Sequence, residues 1–179
     1  MNTRFFSFIL IAVLISGCNT INHKEIGSQA IETKLDEKSQ LNVIIEREED
    51  NKGIPKGLLK SMVSVESGNN PYAVNSSKKS HHFQSKAQAA NFINTAINNG
   101  RQNLSVGCLQ LHYRTHRKHF SSVEDMIDPV NNISYAANLL KNLYDKYGSW
   151  EKAIKIYHSG KAHHNSTYYK KVMKKYKKA

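Results

Sequence analysis

Apolar residues recur at helical spacing between residues 54 and 68. The positions that share one face of this predicted helix are Leu58, Leu59, Met62 and Val63. Pro55 is tolerated in a first helical turn, and Gly68 is a typical helix stop. Glu66 continues the apolar stripe near the end of the helix, so the pattern places a carboxyl group beside hydrophobic side chains.

The same spacing predicts further helices at residues 85–100, 128–148, 150–160 and 168–178. Before them, residues 69–77 are rich in turn formers, and residues 78–82 are predicted to form an exposed basic loop. The apolar stretch 104–111 is interrupted by glycine, and its pattern fits either a strand or the start of a buried helix. We therefore predict an all-α domain with a cleft and a small irregular or β portion around residues 69–84 or 104–110.

Residues 1–17 have the pattern of a secretory signal, with a positive start and an apolar run too short to span a bilayer. Small residues directly precede Cys18, which resembles a bacterial lipoprotein signal in which this cysteine is acylated. An ordinary signal peptide that happens to contain cysteine is the alternative. Asn19 is not the aspartate that marks inner-membrane retention in enteric bacteria. We therefore expect an exported protein of the periplasm or cell envelope, anchored through lipid on Cys18 to the outer membrane.

The charge of the chain is unevenly distributed. Residues 18–52 are polar and acidic and are predicted to form a tether with at most one short helix or strand. The predicted domain, residues 53–179, contains twenty Lys and Arg against six Asp and Glu and ends in the Lys-rich stretch 170–178. Such a surface favours anionic lipid or acidic wall polymers as partners. Nucleic acid is not expected, because the protein is predicted to be exported and has no aromatic-rich nucleic-acid motif.

Glu66 is the first candidate for chemistry. Half-burial and the negative end of the helix dipole both disfavour a charged carboxyl at this position, which suits a general acid near neutrality. A solvent-facing glutamate at a helix end is the alternative that this helix alone leaves open. The next acids, Glu124, Asp125 and Asp128, cluster at a helix start, where acids are commonly structural. The sequence therefore offers one well-placed acid without an obvious carboxylate partner.

Four segments, in the same order along the chain, resemble the lysozyme-like lytic transglycosylases that cleave bacterial peptidoglycan. The first two are residues 65–74, which contain Glu-Ser-Gly-Asn-Asn-Pro, and residues 106–110, which contain Gly-Cys-Leu-Gln. The third is residues 128–140, where Asn-Ile precedes small apolar residues. The fourth is residues 153–160, which contain Tyr-His-Ser-Gly and are followed by a closing Tyr-Tyr-Lys-Lys-Val at 168–172. The resemblance covers about residues 53–176. The departures from the family pattern are Ser105, Cys108, His112 and His158. The long predicted helix at 85–100 resembles the small transglycosylases of conjugation and secretion systems, which implies such an apparatus as a partner.

The resemblance implies a lysozyme-like helical fold, a substrate cleft, peptidoglycan glycan strands as substrate and no cofactor. Glu66 would protonate the bond between N-acetylmuramic acid (MurNAc) and N-acetylglucosamine (GlcNAc). As a carboxylate it would then take the proton of the muramoyl C6 hydroxyl, which closes to a 1,6-anhydro product without water. The substrate's own hydroxyl would thus be the nucleophile, present at high effective concentration.

The resemblance also implies roles for other residues around the acid. Ser67 would hydrogen-bond near the acid or the substrate, and Tyr157 and Tyr168 would orient the carboxyl. Gln110 would line the sugar subsite, while Gly107 would let the backbone approach a sugar closely. The structural alternatives are that Ser67 only caps the helix end and that the tyrosines are core aromatics.

Histidine and cysteine are two further residue types in this chain that can support chemistry. His112, His116 and His119 have a spacing that can share a helix face, but no acid or cysteine nearby completes a metal site. We therefore predict a solvated basic face and no metal. Cys108 has no disulfide partner if Cys18 carries lipid, so it is predicted to be a small buried apolar residue.

Two alternatives to a lytic transglycosylase remain at this point. A lysozyme-type muramidase on the same fold would hydrolyse the same bond and leave no anhydro end. A non-catalytic wall-binding lipoprotein would keep the cleft without activity. The presence of Glu66, Gln110 and Tyr157 together argues against the second alternative.

Overall fold

The computed structural model describes the backbone of residues 23–159 and 166–178, and the side chains of residues 38–158 and 166–178. Two compact units are distinguished, Met1–Lys34 and Leu35–Ala179, and all described side chains belong to the second. The predicted signal segment and the predicted lipid-bearing Cys18 lie outside the described residues.

The described part of the chain is mostly helical with one small sheet, which confirms the predicted fold class. The α-helices are α1 (His23–Lys52), α2 (Leu58–Ser67), α3 (Lys86–Asn98), α4 (Tyr113–His116), α5 (Val123–Ile127), α6 (Pro129–Tyr147), α7 (Trp150–Ser159) and α8 (Ser166–Tyr176). A 3-10 turn at Arg117–His119 follows α4. Among the described residues, no helix combines the length and apolar character needed to span a membrane.

The sheet contains four short antiparallel strands in the order β2-β1-β3-β4. The strands are β1 (Ala73–Ser76), β2 (Lys79–His82), β3 (Leu104–Val106) and β4 (Leu111–His112). The predicted exposed loop at 78–82 is therefore wrong, because most of it forms β2. The hairpin turns at Ser77 and Lys78, whose φ angles of 52° and 65° are both positive, as a tight two-residue hairpin requires. Neither residue type is a usual signal for that turn.

Helix α2 begins after Gly57, later than the predicted start at residue 54. Its first turn has no local side-chain cap. Instead, both carboxylate oxygens of Glu49, which is 1% exposed, accept backbone N–H bonds from Gly57 (2.7 Å), Leu59 (2.7 Å) and Lys60 (3.1 Å). Burial raises the pKa of Glu49, while these three donors act in the opposite direction. A carboxylate of α1 thus caps the helix that carries Glu66.

The end of α1 belongs to the hydrophobic core, which differs from the predicted tether at 18–52. Leu41 and Ile45 are buried with the residues of α2, and Glu49 lies one helical turn further on. The folded unit therefore begins before residue 53. Little in the sequence indicated this, since two buried hydrophobic side chains four positions apart are a weak periodic signal.

Helix α2 lies in the core and packs against α8, while α6 packs against α5 and α7. All four residues of its predicted apolar stripe are at most 2% exposed. Cys108 is also fully buried, and burial raises the pKa of its thiol to about 12, which confirms a buried, unreactive cysteine. The packing fixes α2 at the centre of the domain and brings its C-terminal end to a surface cleft.

Candidate active site

A cleft of about 670 Å³ opens between the end of α2, the sheet, α4, α6 and α7. Of the residues predicted to form the site, it brings together Glu66, Gln110 and Tyr157. Among the described residues that line it, Glu66 is the one carboxylate. Three imidazoles also line the cleft: His112, His116 and His158.

Glu66 lies in the last turn of α2, which Gly68 ends with a positive φ of 62°. Its side chain is only 9% exposed, so the predicted half-burial is confirmed. The carboxyl group faces the cleft at the negative end of the helix dipole, and water reaches it poorly. This is the environment that the apolar stripe predicted.

His158 is the functional candidate that the sequence did not reveal. Its Nδ1 lies 3.5 Å from Oε1 of Glu66, and its ring stacks on Tyr168 with centroids 4.1 Å apart and an angle of 8° between the planes. The sequence marked His158 only as a departure from the family pattern, which has asparagine after the tyrosine at position 157. That departure gave no information on which residues His158 contacts.

Tyr157 is fixed to the sheet side of the cleft rather than to the acid. Its hydroxyl donates to the backbone carbonyl of Leu109 at 2.8 Å. Burial raises the pKa of Tyr157 well above its usual value, and the nearby Glu66 carboxylate raises it further. Because the single hydroxyl proton is used on Leu109, it is not available to Glu66, and the orienting role of Tyr157 stays a prediction. Through this bond, Tyr157 ties α7 to the loop between β3 and β4.

The surroundings of Tyr168 agree better with its predicted role of orienting the Glu66 carboxyl. It is 6% exposed, and its hydroxyl makes no hydrogen bond of ordinary geometry among the described residues. Burial raises its pKa strongly, and the carboxylate of Glu66 adds to this effect. The hydroxyl therefore faces the acid, and its ring supports His158 from behind.

Gln110 combines a cleft position with a structural function. It has a positive φ of 48°, which is uncommon for a residue other than glycine. Its amide Nε2 donates to the carbonyls of Ala73 (3.2 Å) and Gly107 (2.9 Å). These bonds hold the turn between β3 and β4 in the shape that places Gln110 on the cleft wall.

Gly107 is required for a reason that the prediction did not include. Its φ is 82°, and a Cβ at this position would lie 2.4 Å from Nδ2 of Asn132. Asn132 is fully buried, donates to the carbonyls of Val106 and Met126 at 3.0 Å each, and accepts from the N–H of Leu109 at 3.1 Å. Asn132 therefore occupies the space on the Cβ side of Gly107 and explains the need for glycine, while the close approach of a sugar to this backbone stays a prediction.

Ser67 also differs from its predicted role beside the acid. It is 2% exposed, and its Oγ donates to the carbonyl of Val63 at 3.1 Å. It is not part of the cleft lining. The structural alternative, a hydroxyl that satisfies its own helix end, fits this position.

The three clustered histidines have separate surroundings. His112 lies between Asn103 Oδ1 (3.0 Å) and Thr115 Oγ1 (2.9 Å), and His116 Nδ1 contacts the Tyr135 hydroxyl at 3.0 Å. Burial lowers the pKa of His116, and the neighbouring histidines lower it further. The predicted solvated face is therefore only partly correct. In the part of the chain that is described, no group of three or more potential metal ligands is found.

The acids near the start of α6 are structural, as predicted. Asp128 accepts from the N–H groups of Val130 (3.0 Å) and Asn131 (3.4 Å) and caps α6. Asp125 accepts from the backbone and hydroxyl of Ser121, and these bonds lower its pKa. Neither carboxylate lines the cleft with Glu66.

A mostly helical domain with one cleft carboxylate at the end of a buried helix has the architecture of the lysozyme-like, glycan-cleaving class of proteins. The chain belongs to the transglycosylase SLT domain family, whose model matches residues 43–179. Membership implies lytic cleavage of peptidoglycan, with its glycan strands as the substrate. The match begins within α1, in agreement with the burial of Ile45 and Glu49. Comparison with curated proteins and with solved structures gave no match.

Proposed function

We propose that this protein is a peptidoglycan lytic transglycosylase in which Glu66 is the single general acid and base and the product ends in 1,6-anhydroMurNAc. One observation carries the proposal: in the described part of the chain, Glu66 is the one carboxylate that lines the cleft. Its place near the end of a buried helix presents this carboxyl to a glycan bound in the cleft.

The reaction balances without a second protein carboxylate. Glu66 gives its proton to the glycosidic oxygen while the bond from that oxygen to C1 of MurNAc breaks, and positive charge develops on the ring. The resulting carboxylate then accepts the proton of the C6 hydroxyl as the C6 oxygen bonds to C1. Glu66 is protonated again at the end, so the cycle needs neither water nor an external proton. The intramolecular nucleophile gains a large advantage from proximity.

The alternative on the same fold is a hydrolase. Most glycosidases use a pair of carboxylates, about 5 to 9.5 Å apart, with the second acting as nucleophile or as base toward water. The acids at the start of α6 are occupied in helix capping and lie outside the cleft lining. Their arrangement favours the intramolecular route.

Digestion of purified peptidoglycan in heavy-oxygen water tests the proposed route. We expect muropeptides with anhydromuramoyl ends and no solvent oxygen at the new ends, because the C6 oxygen is the nucleophile. Mass spectrometry of the released muropeptides gives the result directly. A digest by a hydrolysing muramidase in the same water is the positive control for label incorporation. Solvent label at the new reducing ends would identify a hydrolase.

We further propose that the enzyme acts in the cell envelope as a lipoprotein, in service of a secretion or conjugation apparatus. The lipoprotein-like signal before Cys18 supports the anchor, and the long helix α3 supports the likeness to the small enzymes of those systems.

Cys18→Ser tests the anchor in a native-like bacterial host. We expect the variant to leave the membrane fraction, because the acylated sulfur is lost while the apolar segment before it is unchanged. Fractionation and mass spectrometry of the mature N-terminus measure the result. Cys108→Ser is the matched control, since its thiol is buried in the domain. Unchanged membrane retention of Cys18→Ser, without lipid on the wild-type protein, would exclude the anchor.

A further inference from the structure

We propose that His158 is the positioning partner of Glu66: its imidazole contacts the catalytic carboxyl and holds it in the orientation that the reaction needs. This inference rests on the proposed function of Glu66. His158 acts through Glu66, so it is a positioning residue and not a second catalytic group.

The geometry brings an imidazole and the cleft carboxylate within ion-pair distance. His158 Nδ1 lies 3.5 Å from Oε1 of Glu66, and both residues line the same cleft. Glu66 is 9% exposed, whereas His158 is 45% exposed. A mostly buried carboxyl near the end of α2 is thus in contact with a more exposed imidazole on α7.

The ring of His158 is held in place from behind. It stacks almost parallel on Tyr168 at a centroid distance of 4.1 Å, and Tyr168 is 6% exposed and anchored in the core. Stacking on a fixed aromatic surface restricts rotation of the imidazole. Contact with Oε1 then restricts the carboxyl of Glu66, which orients its other oxygen relative to a bound glycan.

The other titratable side chains near Glu66 do not offer it a charged partner in place of His158. Tyr157 and Tyr168 are buried phenols with raised pKa values, so they stay neutral. His112 and His116 contribute to the cleft from the sheet and α4. Burial lowers the pKa of His116, which keeps it neutral near pH 7. Among the described residues of the cleft lining, no other carboxylate or lysine is present.

An imidazole beside the acid can also assist the reaction electrostatically. When it carries a proton, it stabilises the carboxylate that forms as Glu66 releases its proton to the glycosidic oxygen. The contact is therefore expected to raise kcat and not to improve sugar binding.

The test compares the pH profile of kcat for wild type and His158→Asn from pH 4 to 8, with peptidoglycan as substrate. Asparagine can place a neutral amide near the former Nδ1 but carries no charge. We expect kcat of the variant to fall severalfold, because the amide reproduces neither the charge of the imidazole nor its stacking on Tyr168. KM should change little, because the imidazole acts on the acid and not on sugar binding.

Two further variants make the result specific. His158→Gln, a second neutral replacement with amide hydrogen bonding, should also lower kcat. His82→Asn removes an exposed histidine on β2, outside the cleft lining, and should leave the profile unchanged. Circular dichroism at each pH confirms that all variants are folded.

The outcomes separate this inference from the proposed function. If wild type is active, Glu66→Gln is inactive and the profiles of both His158 variants coincide with wild type, the role of His158 is excluded and the function of Glu66 stands. If Glu66→Gln keeps full activity, the proposed function fails and the role of His158 fails with it. A change in KM alone would assign His158 to sugar binding and overturn the inference.

Discussion

Glu66→Gln is expected to lower peptidoglycan turnover by roughly two to four orders of magnitude, because glutamine keeps the shape of the side chain but has no proton to deliver. The amide also cannot accept the C6 hydroxyl proton, so both halves of the proposed cycle are lost. Release of soluble muropeptides from purified peptidoglycan, followed by chromatography, measures the effect. KM should change little if the carboxyl acts mainly in the transition state.

The fold should survive this substitution. A carboxyl that is 9% exposed at a helix C-terminus contributes little to stability, and its neutral isostere avoids an unfavourable charge near the helix dipole. Glu124→Gln is the matched control, because Glu124 is exposed and lies outside the cleft lining. It should keep wild-type activity. Full activity in Glu66→Gln would remove Glu66 as the acid and with it the proposed function.

Glu49→Ala is expected to lower the free energy of unfolding by about 2 to 4 kcal/mol. The substitution leaves the N–H groups of Gly57, Leu59 and Lys60 without their acceptor at the start of α2. It also opens a cavity, since Glu49 is 1% exposed. Urea denaturation followed by circular dichroism measures the change.

Two variants sharpen the interpretation of this result. Glu46→Ala removes an exposed acid from the same helix and should change stability by no more than about 0.5 kcal/mol. Glu49→Gln should be intermediate, because it keeps one carbonyl oxygen but places an amide donor against backbone donors. Equal stability of Glu49→Ala and Glu46→Ala would show that α2 does not depend on the cap from α1. Loss of activity in Glu49→Ala at a temperature where it is folded would reveal a displaced Glu66.

The sequence predicted the elements whose signals are local. The apolar stripe of α2 is buried as predicted, and α3 and α6 lie within the ranges predicted at 85–100 and 128–148. Each depends on residues within one or two helical turns of each other, so the chain order contains the whole signal. The same local logic placed Glu66 on the apolar side of a helix end.

The residues that line the cleft could not be predicted from local sequence pattern alone. Family resemblance identified Gln110 and Tyr157 as site residues, and both line the cleft with Glu66. It also assigned Ser67 and Gly107 to the substrate, whereas their contacts are internal. A motif preserves residues needed for the fold as well as those needed for chemistry, and spacing alone does not separate the two.

By itself, the sequence determined the helices α2, α3, α6, α7 and α8, the single acid without an obvious carboxylate partner, and the family. Tertiary structure decided which groups surround that acid: Glu49 caps its helix, Asn132 fills the space at Gly107, and His158 approaches the carboxyl. These contacts join residues between eight and more than ninety positions apart. Helical periodicity reports which face of one element is buried, but which side chain lies opposite it depends on how separate elements pack together.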